Sequence, residues 1–164
     1  MTEWSARVGE TQDKAIVLQP IGHVRSVRSE PVDEGWGTVT SDVVIDEVYR
    51  DGLLGLEQFS HAVIVFWMNG AHYEQARHIR RRPQGREDMP MMGIFAQRAK
   101  DRPNPIGVTT VEVLEVQADR IRVRGLDAID ATPVLDVKPY FRCFDAGNET
   151  KEPEWVDQLM GTYF

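Results

Sequence analysis

The sequence predicts a mainly β domain, a closed or nearly closed barrel with short helices, on three observations. Apolar residues recur with a period of two in several segments, as in Val39, Val43 and Ile45 of TVTSDVVIDEV, with the small Ser41 in the same alternation. Clusters of Gly, Pro, Asn and Asp separate these segments at short intervals. Nothing alternates a strand with a long helix often enough for a doubly wound parallel sheet.

Taken in order, residues 1–14 are polar and without periodicity, so a flexible tail is expected there, ahead of a barrel domain over 15–145. KAIVLQPIGHVRSV reads as a strand interrupted near Gln19-Pro20, because proline has no amide to give a ladder. TVTSDVVIDEV follows as a half-buried strand, and YRDGLLGLEQFS as a turn or short helix. HAVIVFWM contains the longest purely apolar run, Ala62 to Met68, which is too short to span a bilayer and reads as the most buried strand. Trp67 within it reads as plain core. MMGIFAQ is strand-like. VTTVEVLEV and RIRVRGL form a hairpin around Gln117–Asp119, with Ile121 and Val123 facing away from Arg120, Arg122 and Arg124. VLDVKPYF is the last strand, and residues 146–164 carry a short amphipathic helix in EPEWVDQLMG.

Bulk properties exclude several classes of function. At 164 residues the chain is long enough for a real core, and 41% hydrophobic with 27% charged residues is a globular balance. A net charge of −7 argues against a protein that coats nucleic acid non-specifically. The N-terminal stretch lacks a basic region followed by an apolar one, so the expected compartment is the cytoplasm. A single cysteine, Cys143, excludes an intrachain disulfide framework and a CxxC zinc site. His23, His61, His72 and His78 have no spacing that sets two on one helical face, so no metal is expected. One local feature opposes the overall charge: RHIRRRPQGR, Arg77 to Arg86, holds five arginines in ten residues with no acid. It is either a solvated face or a patch for phosphate or carboxylate.

The remaining chemistry lies in loops. RPNPIG, Arg102 to Gly107, fixes its backbone with two prolines between apolar runs. DEGWG (Asp33–Gly37), MNGAH (Met68–His72) and GLDAIDATP (Gly125–Pro133) are rich in turn formers at strand ends. Such loops hold small ligands through backbone groups.

Together, GLEQFSHAVIVFW, GIFAQRAKDRPNPIGVTTVEVLEV and GLDAIDATPVLDVKPY resemble the TsaA-like, or TrmO, family of S-adenosylmethionine-dependent methyltransferases, from about Ile21 to about Phe144. The resemblance implies a barrel unlike the Rossmann fold of most methyltransferases. It also implies a homodimer, S-adenosylmethionine as cofactor, and N6-methylation of threonylcarbamoyladenosine beside the tRNA anticodon. Carried over residue by residue, it implies cofactor contacts at Glu34, Gly35, Trp36, Asn69, Gly70, Arg98, Val108, Leu126 and Asp127. RPNPIG becomes a rigid wall of that site close to the dimer contact, with Arg102 serving either the turn or the subunit contact. Asp127 and Asp130 are the carboxylates nearest the inferred pocket, as catalytic groups or as turn residues. Longer members continue into a second small domain where this sequence ends at Phe164, and the Asn69 loop lacks residues expected of the tRNA-modifying branch. A small-molecule acceptor or a non-catalytic sensor is therefore the alternative function.

Overall fold

Alternation in the sequence becomes burial in the barrel. The computed structural model describes residues 16–147 and 149–164; the expected tail over 1–14 lies outside them. Strands β1 (Gly22–Ser26), β2 (Thr40–Ile45), β3 (His61–Trp67), β6 (Ile106–Val116), β7 (Arg120–Arg124) and β8 (Pro133–Pro139) close in the order β1-β2-β7-β6-β3-β8. All six interfaces are antiparallel. β4 (Arg80–Arg81) and β5 (Met92–Gly93) pair outside the barrel. Val24, Val43, Ile64, Val111, Ile121 and Val123 point inward and are buried to within 1% of full exclusion. Each such side chain contributes about 1.5–3 kcal/mol relative to exposure.

Several elements differ from the sequence expectation. Of the first strand, only Gly22–Ser26 is regular: Pro20 ends the preceding stretch, and Ile16 and Val17 stand exposed. MMGIFAQ is not a barrel strand but the two residues of β5 and a 3-10 turn, Ile94–Ala96. The buried amide of Gln97 holds that turn by donating to the carbonyls of Arg81 and Met92, both at 3.0 Å. β6 starts earlier than expected, at Ile106 inside RPNPIG. Trp67 is half-buried rather than core. YRDGLLGLEQFS forms two 3-10 helices, Glu47–Leu53 and Leu56–Gln58, and the final helix is Glu154–Met160. Among the described residues no helix is long and apolar enough to cross a membrane.

Antiparallel closure sorts the connections between two ends of the barrel. The segments 27–39, 68–105 and 125–132 lie at one end; 46–60 and 117–119 lie at the other. All the loops with unusual chemistry therefore converge on the first end. The far end carries an apolar pocket of about 560 Å³ between Ile21, Leu53, Phe59 and Pro139.

Gly107 sets how closely β6 approaches β3. It faces Phe66 in the ladder, and a Cβ at residue 107 would overlap the Phe66 ring, itself 3% exposed. Gly107→Ala should lower the unfolding free energy by about 1–3 kcal/mol, the usual range for overpacking a filled core. Urea unfolding of the two proteins checks this, and an unchanged midpoint would show that the ring moves aside freely.

Candidate functional site

The site end is built from three connected pieces. The first is the start of β6. Its inward face carries Thr109, 5% exposed, whose hydroxyl needs a partner inside an apolar barrel. Asp127, two residues past the positive-φ turn at Gly125 that ends β7, supplies it: Thr109 Oγ1 donates to Asp127 Oδ1. One residue earlier, Val108 faces outward at 43% exposure, and its carbonyl accepts a bond from Arg98 Nη2. Arg98, Val108 and Asp127 are thus joined through two successive residues of one strand.

The second piece is the loop before β2. Trp36 is buried at 2% exposure, and its indole Nε1 donates to the Val32 carbonyl at 2.7 Å. Arg28 lies 4.7 Å over the Trp36 ring and donates to the carbonyls of Glu34 (2.7 Å) and Gly35 (3.0 Å). Cation–π contact and carbonyl bonds together fix this loop. Its amides turn to residues that sequence reasoning did not single out. Gly35 N donates to the Thr162 carbonyl at 2.8 Å and Trp36 N to that of Tyr163 at 2.7 Å. The Tyr163 hydroxyl then donates to Asp127 Oδ2 at 2.9 Å. Burial, first of all, pushes the Tyr163 phenol well above its ordinary range; Asp127 and Asp33 add to this, and Arg98 opposes it.

The third piece joins RPNPIG to MNGAH. Met68 N donates to the Pro105 carbonyl at 2.8 Å, and His72 N to Asp101 Oδ1 at 3.0 Å. Asp101 also meets Lys100 at 2.9 Å and Arg81 at 3.5 Å. Burial works to raise the Asp101 carboxyl, but the His72 amide and the two cations outweigh it and hold it below the usual range. Arg102 donates to the Gln97 carbonyl at 3.3 Å, closing its turn.

These contacts arrange the expected residues unevenly. Glu34, Gly35, Trp36, Arg98, Val108 and Asp127 come together, whereas Leu126, next to Asp127, is wholly buried in the barrel core. Asn69 and Gly70 are exposed at the end of β3, beside Pro105 rather than Val108; three residues of strand separate those two, roughly 10 Å. Asp130 stands apart: its Oδ1 accepts the Ser26 amide at 2.9 Å, the role of a turn residue. Among the described residues no three metal-ligating side chains come together. Tyr163, Thr109 and Arg28 were missed. Thr109 was readable as a polar residue on an inward position, whereas nothing in the spacing ties residue 163 to residue 127.

The model of the tRNA-methyltransferase O N-terminal domain matches residues 27–146, which include all three pieces except the Tyr163 segment. The chain belongs to that family. It is 36% identical over 138 residues to an S-adenosyl-L-methionine-binding protein of Archaeoglobus fulgidus, covering 82% of this chain and 96% of that one. It is 40% identical over 103 residues to the human tRNA (adenine(37)-N6)-methyltransferase, covering 62% of this chain but 22% of the human one. The crystal structure of TrmO from Pseudomonas aeruginosa superposes with a TM-score of 0.70 at 28% identity, covering 87% of this chain and 62% of that one. The chain thus spans nearly all of the archaeal relative and under two thirds of the other two.

Asp101 couples the two loops, which gives a pH-dependent expectation. Asp101→Asn should lower stability at neutral pH by about 1.5–3 kcal/mol, the range for bonds to a charged group. The wild-type carboxyl is held low in the folded state, so its contribution is full above about pH 4. It is lost as pH falls through the folded value. Urea unfolding at neutral pH and again at about pH 3 should show the difference between the two proteins shrinking in acid.

Proposed function

We propose that this chain binds S-adenosylmethionine at the site end of the barrel and transfers its methyl group to N6 of threonylcarbamoyladenosine beside the tRNA anticodon. The observation that supports the cofactor reading is the meeting of Arg98, Val108, Asp127 and the Glu34–Trp36 loop in a chain of this family. The residues present fit the group. Asp33 and Asp127 offer carboxylates to a cation and to hydroxyls, and Arg98 offers its guanidinium to an amino-acid carboxylate. Val108, exposed on the outer face of β6, suits a flat base, and the Asn69–Gly70 turn offers backbone groups. When bound, S-adenosylmethionine supplies a methyl carbon already activated by its sulfonium. What the chain must do is hold and orient the acceptor and keep water out. Asp127 already accepts two protein donors and Asp130 serves Ser26, so both are better suited to holding than to taking a proton. We further propose a homodimer: Met91, Phe95 and Val108 are 58%, 79% and 43% exposed beside the site, an apolar margin that a second copy would cover. A tRNA acceptor would place the protein in the cytoplasm.

Titration calorimetry with S-adenosylmethionine and S-adenosylhomocysteine tests the cofactor reading, and no binding of either at millimolar ligand would sink it. Arg98→Ala should weaken binding roughly tenfold to more than a hundredfold, the effect of losing a charge-assisted partner. An Arg98→Ala protein that binds like wild type returns Arg98 to its bond with the Val108 carbonyl alone.

The second reading, a small-molecule acceptor or a non-catalytic sensor, is favoured by the arginine run. Arg81 is held by Asp101, Arg82 donates to the Met89 carbonyl, and Arg86 pairs with Asp88 at 2.6 Å. Arg77 makes only a loose, exposed pair with Glu74 at 3.6 Å, and Arg80 is exposed. If Arg77 and Arg80 are the phosphate contacts, log tRNA affinity should fall with log salt at a slope of roughly −2, counting about one ion per contact. Arg80→Ala should flatten that slope by about 1. Filter binding across a salt series reads both, and a salt-independent affinity would favour the small-molecule acceptor. Release of S-adenosylhomocysteine on addition of tRNA, or of a metabolite extract, separates an enzyme from a sensor.

A further inference from the structure

The chain leaves β8 at the far end of the barrel, yet Thr162 and Tyr163 dock at the site end. The described residues between them include the helix Glu154–Met160. The dock is built to receive the chain. Consecutive carbonyls, Thr162 and Tyr163, accept the consecutive amides of Gly35 and Trp36. Gly37 lies so close to Phe164 that a Cβ there would stand 2.7 Å from the Phe164 carbonyl carbon. The Tyr163 and Phe164 rings meet edge to face at 5.0 Å. All of this fixes one side-chain atom, the Tyr163 hydroxyl, against Asp127 Oδ2.

We infer that Tyr163 is a positioning residue of the cofactor site: it holds the Asp127 carboxylate, with Thr109, in one orientation, so that the remaining acceptor positions of Asp127 are set for the hydroxyl or amine donors of a nucleoside. The inference rests on the cofactor reading above and adds to it a residue outside the matched domain, 27–146. Three observations carry it. Each Asp127 oxygen has its own protein donor, Thr109 Oγ1 on one and the Tyr163 hydroxyl on the other, so the carboxylate plane is fixed at both ends. A carboxylate has about four acceptor positions, so two donors leave others for a ligand. Burial and the nearby acids keep the phenol protonated, so Tyr163 remains the donor and Asp127 the acceptor.

Tyr163→Phe removes the hydroxyl and leaves the ring and the docked backbone. Calorimetry should show S-adenosylhomocysteine binding weakened roughly tenfold, the order expected for a hydrogen bond to a charged group. Hydrogen exchange should show the Gly35 and Trp36 amides still protected. In an Asp127→Asn background, Tyr163→Phe should weaken binding by a much smaller factor, because the group it acts through has changed. Equal binding by Tyr163→Phe and wild type overturns the inference. So does an equal loss in both backgrounds, or loss of amide protection in Tyr163→Phe, since either makes Tyr163 a packing residue. If wild-type protein binds neither S-adenosylmethionine nor S-adenosylhomocysteine, the cofactor reading falls and this inference with it. That outcome is distinct from a wild-type protein that binds and a variant that binds as well.

Discussion

The register of β6 against β3 decides what the site end contains. Phe66 faces Gly107 in the ladder, and the absence of a side chain at 107 is what lets the ring lie there. From that pairing, alternation puts Thr109 and Val111 inside and Val108 outside. A slip of one residue would exchange every one of these faces. Thr109 would then lose Asp127, and Val108 would leave the rim beside Arg98. RPNPIG is best understood through this constraint. Its prolines bring the chain to the barrel without ladder amides, the Pro105 carbonyl takes the Met68 amide, and the glycine completes the approach.

Closure has a second consequence, in how charge is carried on the outside of the sheet. Outward positions of β7 are arginines, and the neighbouring strands answer them with acids. Arg122 meets Asp42 at 2.9 Å across β2, and Arg124 meets Glu112 across β6. The Arg122 bond, against some burial, holds the Asp42 carboxyl below its usual range, with Arg120 and Arg25 assisting. Such pairs are worth little individually at an exposed surface. Their larger effect is on register, because a slip of two residues would set Arg122 opposite Thr40 or Val44 in place of Asp42. The outer pairs specify the alignment of β7 with β2 and β6, and the inner Gly107–Phe66 contact that of β6 with β3.

Much of this was legible in the sequence because it depends on neighbours along the chain. The period of two in TSDVVI gave β2 with Ser41, Val43 and Ile45 buried, and RIRVR gave β7 with its arginines outward. MMGIFAQ misled because its apolar residues suit a strand, whereas its fate is set by Gln97 reaching the carbonyls of Arg81 and Met92. The arginine run left two readings open for the same reason: Asp101 and the Met89 carbonyl, which hold Arg81 and Arg82, are contacts of the folded loop. At the site, Arg98 and Asp127 were named from their motifs, and the structure joins them through Val108 and Thr109. Tyr163 was out of reach, since its dock to Trp36 and Asp127 spans most of the chain with no pattern to announce it.

The charge at the site end finally constrains what kind of ligand it suits. Asp127 is held by Thr109 and Tyr163, Arg98 by the carbonyl of neighbouring Val108, and Asp33 lies beside the Glu34–Trp36 loop docked on Tyr163, so both signs are present in one small region. A simple anion would gain from Arg98 and be repelled by the two acids; a simple cation would meet the reverse. A ligand that carries a cation and a carboxylate on one short skeleton, with hydroxyl donors between, meets each charge with its opposite. The protein also keeps these charges from neutralising one another directly. Arg98 is held on the Val108 carbonyl and Asp127 on two neutral hydroxyls, so neither is drawn across into a salt bridge with the other. Neutral donors and acceptors thus hold the ionic groups in place and apart, which leaves both charges available to a zwitterionic nucleoside.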